Sequence, residues 1–180
     1  MATYIALLRA VNVGGRSLPM AELRATFAKL GIAGAKTLLQ SGNVVFAGDK
    51  RSTAELEKLF ETGVAKHHKM QVDFMIRTAR EWSDIVAANP FPKEAKADPG
   101  RLVVLALKGA PNAGAEQTLQ AAIKGPETVR VVGKNAYLYY PIGQGASKLT
   151  AATIEKHLGH RGTARNWNTT LKLLALVEAL

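Results

Sequence analysis

The sequence predicts an α+β protein made of two ferredoxin-like subdomains with antiparallel sheets, the second ending in a helix. Three observations carry that expectation. Strand-like and helix-like segments follow the order β-α-β-β-α-β over residues 4–77, which is the order of the split β-α-β unit. The order β-α-β-β-α recurs after residue 100. Between the two runs, residues 89–100 hold three prolines, two lysines and Gly100, the composition of a linker. The expected division is therefore 1–88 for the first subdomain with the helix that follows it, 89–100 for the linker, and 101–180 for the second subdomain with its C-terminal helix.

In the first half, residues 4–8 form a short apolar run that ends at Asn12-Val13-Gly14-Gly15, a turn signal, and read as a buried strand. Pro19 suits a first helical turn, and Met20, Leu23, Phe27 and Leu30 recur at helical spacing up to Gly31. Residues 36–40 and 44–47 read as strands joined at Ser41-Gly42-Asn43, where glycine can take the positive φ of a tight hairpin. Ser52-Thr53-Ala54-Glu55 has the capping-box pattern and opens a helix whose buried stripe is Leu56, Leu59, Phe60 and Val64. Residues 71–77 close the half as a strand. A second capping box, Thr78-Ala79-Arg80-Glu81, then opens a helix carrying Trp82, Ile85 and Val86, which stops at Asn89-Pro90.

The second half begins with the apolar run 102–107, followed by a helix over about 112–124 that ends at Gly125-Pro126. Residues 128–132 and 136–142 read as strands around Gly133-Lys134-Asn135, and a helix through Ile154 and Leu158 runs to Gly159. In place of a last strand the sequence suggests a helix over roughly 165–179, with Trp167, Leu171 and Leu174 as its core stripe. Several strands are apolar at successive positions, as expected where both faces of a sheet are buried. The second face would be covered by the other half, by a terminal helix or by another subunit, which would make the chain a homodimer.

Composition excludes some chemistry. A chain that is 47% hydrophobic and 21% charged has the balance of a globular protein. Without cysteine there is no disulfide framework, thiolate metal site or catalytic thiol. That composition, and an N-terminus that enters a strand directly, lead us to expect a cytoplasmic protein with no membrane anchor. The net charge is +10, and residues 130–172 carry seven basic side chains against the single acid Glu155. A field of that sign attracts phosphorylated small molecules, nucleic acid or acidic protein surfaces, and also serves solubility.

Several clusters could carry chemistry. The loop from Arg9 through Asn12, Gly14 and Gly15 to Arg16 and Ser17 joins a strand to a helix, and its backbone N–H groups could converge on an anion. It lacks the patterns of a Walker loop or a dinucleotide fingerprint, and glycines that merely turn the chain are the simpler reading. Ser41, Gly42 and Asn43 offer a hydroxyl and an amide at a hairpin tip, outside any nucleophile-elbow pattern. Thr163, Ala164, Arg165, Asn166, Trp167, Asn168 and Thr169 form a dense polar cluster ahead of an apolar helix, either as caps or as ligand contacts. Tyr137 and Tyr139 alternate on one strand face, suited to stacking bases or to packing. His157 and His160 are three apart but straddle Gly159, where the helix ends, and no metal or cofactor is expected.

Residues 4–15, Gln40-Ser41-Gly42-Asn43-Val44-Val45-Phe46, Ser147-Lys148-Leu149 and residues 163–169 together resemble the bacterial domain-of-unknown-function family 1697. Where that family commonly reads Arg-Gly-Ile-Asn-Val-Gly-Gly, this chain has Arg9-Ala10-Val11-Asn12-Val13-Gly14-Gly15, which keeps Arg9, Asn12 and both glycines. The resemblance implies two ferredoxin-like subdomains and supplies no activity. The leading functional expectation is a site for a phosphate-bearing partner, a nucleotide, nucleic acid or phosphorylated metabolite, to which Arg9, Asn12, Gly14, Gly15, Ser41, Gly42, Asn43, Arg165, Asn166, Asn168 and Thr169 contribute. The alternatives are a metal-independent enzyme acting on a small polar substrate, its catalytic residues unassigned, and an interaction protein whose motifs are structural.

Overall fold

A computed structural model describes all 180 residues. It is an α+β protein with two four-stranded antiparallel sheets. By compactness the chain divides into one unit of Met1–Asp84 with Lys172–Leu180 and another of Ile85–Leu171.

The first unit contains β1 (Ala2–Leu8), α1 (Met20–Lys29), β2 (Lys36–Thr37), β3 (Asn43–Gly48), α2 (Thr53–His68) and β4 (Phe74–Thr78). The strand order is β2-β3-β1-β4, the arrangement the split β-α-β connectivity requires. Alternation along β1 sends Tyr4, Ala6 and Leu8 to one face, where they join Val44, Phe46, Phe74 and Ile76 under α1 and α2. The centre of this core is aromatic: Phe27 of α1 stacks on Phe60 of α2 with ring centroids 4.1 Å apart, and Phe46 meets Phe60 edge to face at 5.4 Å. Ile5, Leu7, Val45, Met75 and Arg77 alternate with those residues and are equally excluded from water, so both faces are buried, as the unbroken apolar runs implied.

Strand β2 is shorter than expected because Leu39 takes a left-handed conformation, φ 61°. Pro19 likewise sits one place earlier than expected, preceding α1 as its N-cap. The expected capping box is present at α2: the Ser52 hydroxyl accepts from Glu55 N, and Glu55 Oε2 accepts from Ser52 N at 2.8 Å. Replacing Ser52 by alanine should lower stability by about 1 kcal/mol, read as a shifted urea midpoint with an unchanged slope. The second box also forms, with Glu81 N donating to Thr78 Oγ1 at 3.1 Å and Thr78 N donating to Glu81 Oε2 at 2.7 Å; it starts α3 (Ala79–Ala87).

Residues 89–100, read as linker, carry α4 (Pro92–Ala97) and a 3-10 turn at Pro99–Arg101. They lead into β5 (Leu102–Leu107), α5 (Ala115–Ala122), β6 (Thr128–Val132), β7 (Asn135–Tyr139), α6 (Ala151–Leu158), β8 (Gly162–Asn166) and α7 (Trp167–Glu178). The strand order β6-β7-β5-β8 repeats that of the first sheet. Val103, Leu105 and Leu107 face α5 and α6 in the second core, with Leu119, Ile154 and Leu158. On the opposite face the Tyr137 hydroxyl donates to the Ile85 carbonyl at 2.5 Å, and Tyr139 lies against Phe91 with centroids 6.4 Å apart. These tyrosines are packing residues.

Two expectations are corrected here. The second half does have a last strand: β8 pairs with β5 from Val103↔Asn166 to Leu107↔Gly162. Gly-Thr-Ala-Arg-Asn has no apolar run of its own, because its place in the sheet comes from pairing with the central strand β5. The core stripe of the helix that follows also differs from the one expected. Trp167, Thr170, Leu173 and Val177 are its buried stripe, whereas Leu171 is 42% exposed and Leu174 is half-buried. No helix is long and apolar enough to cross a membrane.

Candidate functional site

In the first unit the antiparallel register brings the end of β1 and the turn before β3 to one edge of the sheet. Leu8 N donates to the Gly42 carbonyl at 2.9 Å, and Arg9 N to the Asp73 carbonyl at 3.0 Å. Beyond Arg9 the chain leaves the sheet in an irregular loop, with Ala10 (φ 54°), Asn12 (φ 55°), Gly14 (φ 58°) and Gly15 (φ 80°) all left-handed. Asparagine tolerates that region through local side-chain bonding; alanine does so only at a cost of about 1–2 kcal/mol. Asn12 supplies the bonding: its Oδ1 accepts from Leu18 N at 2.8 Å, while Nδ2 donates to the carbonyls of Leu18 at 3.0 Å and Gln40 at 2.7 Å. One side chain thus closes the loop on itself and ties it to the hairpin. Arg16 N closes a turn on the Val13 carbonyl, and Arg16 Nη2 donates to the Gln71 carbonyl.

The hairpin is fitted to this loop. Gly42 has φ 83°, and a Cβ there would lie 2.7 Å from both Leu8 Cβ and Val11 Cγ2. Asn43 is fully buried, and its Nδ2 donates to the Leu38 carbonyl at 2.7 Å and to Ser41 Oγ at 3.0 Å. Arg9, Asn12, Gly14, Gly15, Ser41, Gly42 and Asn43 therefore belong to one constellation. Ala10, Val13, Gly14, Gly15, Ser17 and Ser41 form its exposed surface. Residues 9–17 contain two arginines and no acid. Left-handed residues interspersed along such a loop can turn backbone N–H groups toward a common point, the geometry of an anion nest.

Arg165, Asn166, Asn168 and Thr169 belong to the second unit. Arg165 is 7% exposed, and its Nη1 donates to Thr163 Oγ1 at 2.7 Å and to the Ala164 carbonyl at 2.8 Å. Burial pushes its pKa down to about 10, so it stays charged at neutral pH. Asn166 caps α7, its Oδ1 accepting from Thr169 N at 3.0 Å, and its carbonyl accepts from the Thr170 hydroxyl at 2.9 Å. Asn168 is the exposed member of the cluster.

Sequence reasoning passed over Arg77, which occupies the matching place in the first sheet. Arg77 pairs with Ile5 of β1 and Arg165 with Val104 of β5; each immediately precedes the residue that caps the next helix. Each guanidinium donates to the carbonyl of the residue before it, 3.0 Å for Arg77 to Ile76. Burial lowers the Arg77 pKa, partly offset by Glu57 and Glu81. The repeated signal was Arg-Thr and Arg-Asn ahead of two helices, which a comparison of the halves by element order alone does not reveal. No group of three or more His, Asp or Glu side chains is arranged to hold a metal ion.

No curated protein matches the chain. Among solved structures, it is similar to the conserved bacterial protein SP0830 from Streptococcus pneumoniae, with 21% sequence identity, a TM-score of 0.69 and 99% of each chain covered. At that identity the likeness speaks for the fold. The profile of a family described as a protein of unknown function, DUF1697, matches residues 1–137, which include the loop and hairpin described above. The chain belongs to the DUF1697 family.

Proposed function

We propose that the protein binds a phosphate-bearing ligand, a nucleotide, a nucleic acid or a phosphorylated metabolite, at the exposed loop of residues 10–17 beside the Ser41-Gly42-Asn43 turn. The observation that supports this reading is the set of left-handed residues Ala10, Asn12, Gly14 and Gly15 held between Arg9 and Arg16 in a chain of net charge +10. Strained non-glycine backbone is maintained where surrounding structure over-determines it, here through Asn12 and Gly42, and such strain concentrates at ligand sites. Backbone N–H groups would bind the phosphate oxygens, and Arg16 would add a charge-assisted bond. The cysteine-free composition fits a cytoplasmic setting, where such ligands are plentiful.

Calorimetric titration with ATP and with pyrophosphate, alongside anisotropy titration with a labelled single-stranded oligonucleotide, distinguishes free phosphates from a polymer. At low salt at least one of these should bind. Arg16→Ala should weaken that binding about tenfold or more without changing the melting temperature by more than a few degrees. Absence of binding to all three at low salt, or full affinity in Arg16→Ala, would show the reading to be wrong.

A further inference from the structure

The second unit contains a cavity of about 560 Å³ between the end of α5 and the segment leading into α6. That volume is within the ~300–1,000 Å³ range of small-ligand pockets. Its walls include Ile123, Pro126, Ile142 and Leu149; Lys124 and Lys148 line it from exposed positions. Among the lining residues is one acid, Glu127, which is 3% exposed. A buried carboxylate is costly unless its oxygens are satisfied. Glu127 Oε1 accepts the Ser147 hydroxyl, and Ser147 Oγ in turn accepts from Leu149 N at 3.1 Å. Oε2 lies against Gly125, so close that a Cβ there would fall 2.3 Å from it, and it takes no hydrogen bond from the protein.

The chain thus holds a carboxylate in place and leaves one of its oxygens to the cavity. One oxygen pins residues 147–149 through Ser147, the other is left without a protein donor, and neither Lys124 nor Lys148 is ion-paired with the carboxylate. Ser147, Lys148 and Leu149 are also the motif that the loop and hairpin leave without a role.

We propose that this cavity is a second site, separate from the phosphate loop, for a small nucleotide whose base presents N–H donors to Glu127. The apolar walls would pack against the faces of the base, and its phosphate would lie with Lys124 and Lys148. The opposed chemistry selects a ligand carrying donor edge and anion together. A simple phosphate lacks the first, and a neutral nucleoside lacks the second.

Guanosine monophosphate carries both, through its N1–H and N2–H₂ edge and its phosphate. Ribose 5-phosphate and guanosine carry one each. Titration of the full chain by calorimetry should give guanosine monophosphate at least about tenfold tighter binding than either fragment. Glu127→Gln, which keeps the volume and an oxygen for Ser147, should reduce the affinity for guanosine monophosphate to that for ribose 5-phosphate. Lys148→Ala should reduce it toward that for guanosine. All three titrations are repeated in Arg16→Ala, in which the loop site is weakened, and guanosine monophosphate should keep its lead over both fragments there, which separates this site from the loop. Guanosine monophosphate binding no tighter than ribose 5-phosphate, or unaffected by Glu127→Gln in a variant whose melting temperature matches the parent, overturns the proposal. So does absence of saturable binding to the parent chain.

Discussion

Gly42→Ala should destabilise the protein by roughly 2–4 kcal/mol, a large effect for adding one methyl group. Two costs combine. At φ 83° an L-residue is in the left-handed region, which costs about 1–2 kcal/mol. The added Cβ would also lie 2.7 Å from Leu8 Cβ, an atom fixed to the central strand that cannot swing aside as the end of a long side chain could. Relief requires the hairpin to move off β1, which weakens the bond from Leu8 N to the Gly42 carbonyl and withdraws the Gln40 carbonyl from Asn12. The substitution should therefore disturb the loop as well as the sheet. Urea unfolding gives the stability change. A loss below about 1 kcal/mol would mean that loop and hairpin are not fitted as described.

Phe27→Ala should cost about 3–5 kcal/mol. Phe27 is fully buried and lies at the middle of the aromatic cluster, 4.1 Å from Phe60, 5.6 Å from Phe46 and 6.3 Å from Phe74 between ring centroids. Truncation removes transfer energy and leaves a void bounded by three rings whose own positions are set by α2, β3 and β4. The site cannot collapse cheaply. Against a typical total of ~5–15 kcal/mol, the variant should melt about 10 °C lower in calorimetry. Phe27→Leu should lose less than half as much. Equal losses would indicate that ring stacking, and not volume, dominates.

Much of this architecture was legible in the sequence because local rules and tertiary demands agree. The capping boxes at Ser52 and Thr78, the two-face burial of β1 and β5, and the meeting of the residue 9–17 loop with the Ser41 turn all follow from spacing and antiparallel geometry. β8 was illegible because Gly162–Asn166 owes its conformation to pairing with β5 and not to its own side chains. Leu171 was assigned to the buried stripe of α7 from an i, i+4 pattern, yet the stripe runs through Thr170 and Leu173. In a helix this rich in leucine, periodicity does not choose the face. Arg77 and Glu127 were missed for a related reason: nothing in a sequence marks a charged residue as buried until strand register or a neighbouring glycine encloses it.

In the proposed function a phosphate-bearing ligand meets the backbone of the residue 10–17 loop. Titration of the ¹⁵N-labelled chain with pyrophosphate, followed by amide chemical shifts, tests it directly, because glycine amides are well separated in such spectra and two of them, Gly14 and Gly15, lie in the loop. Saturable shifts centred on Gly14, Gly15 and Arg16 are expected, with smaller ones at Gly42, and all should be lost in Arg16→Ala. Shifts confined to residues outside the loop and the turn, or no saturable shift at low salt, would contradict it.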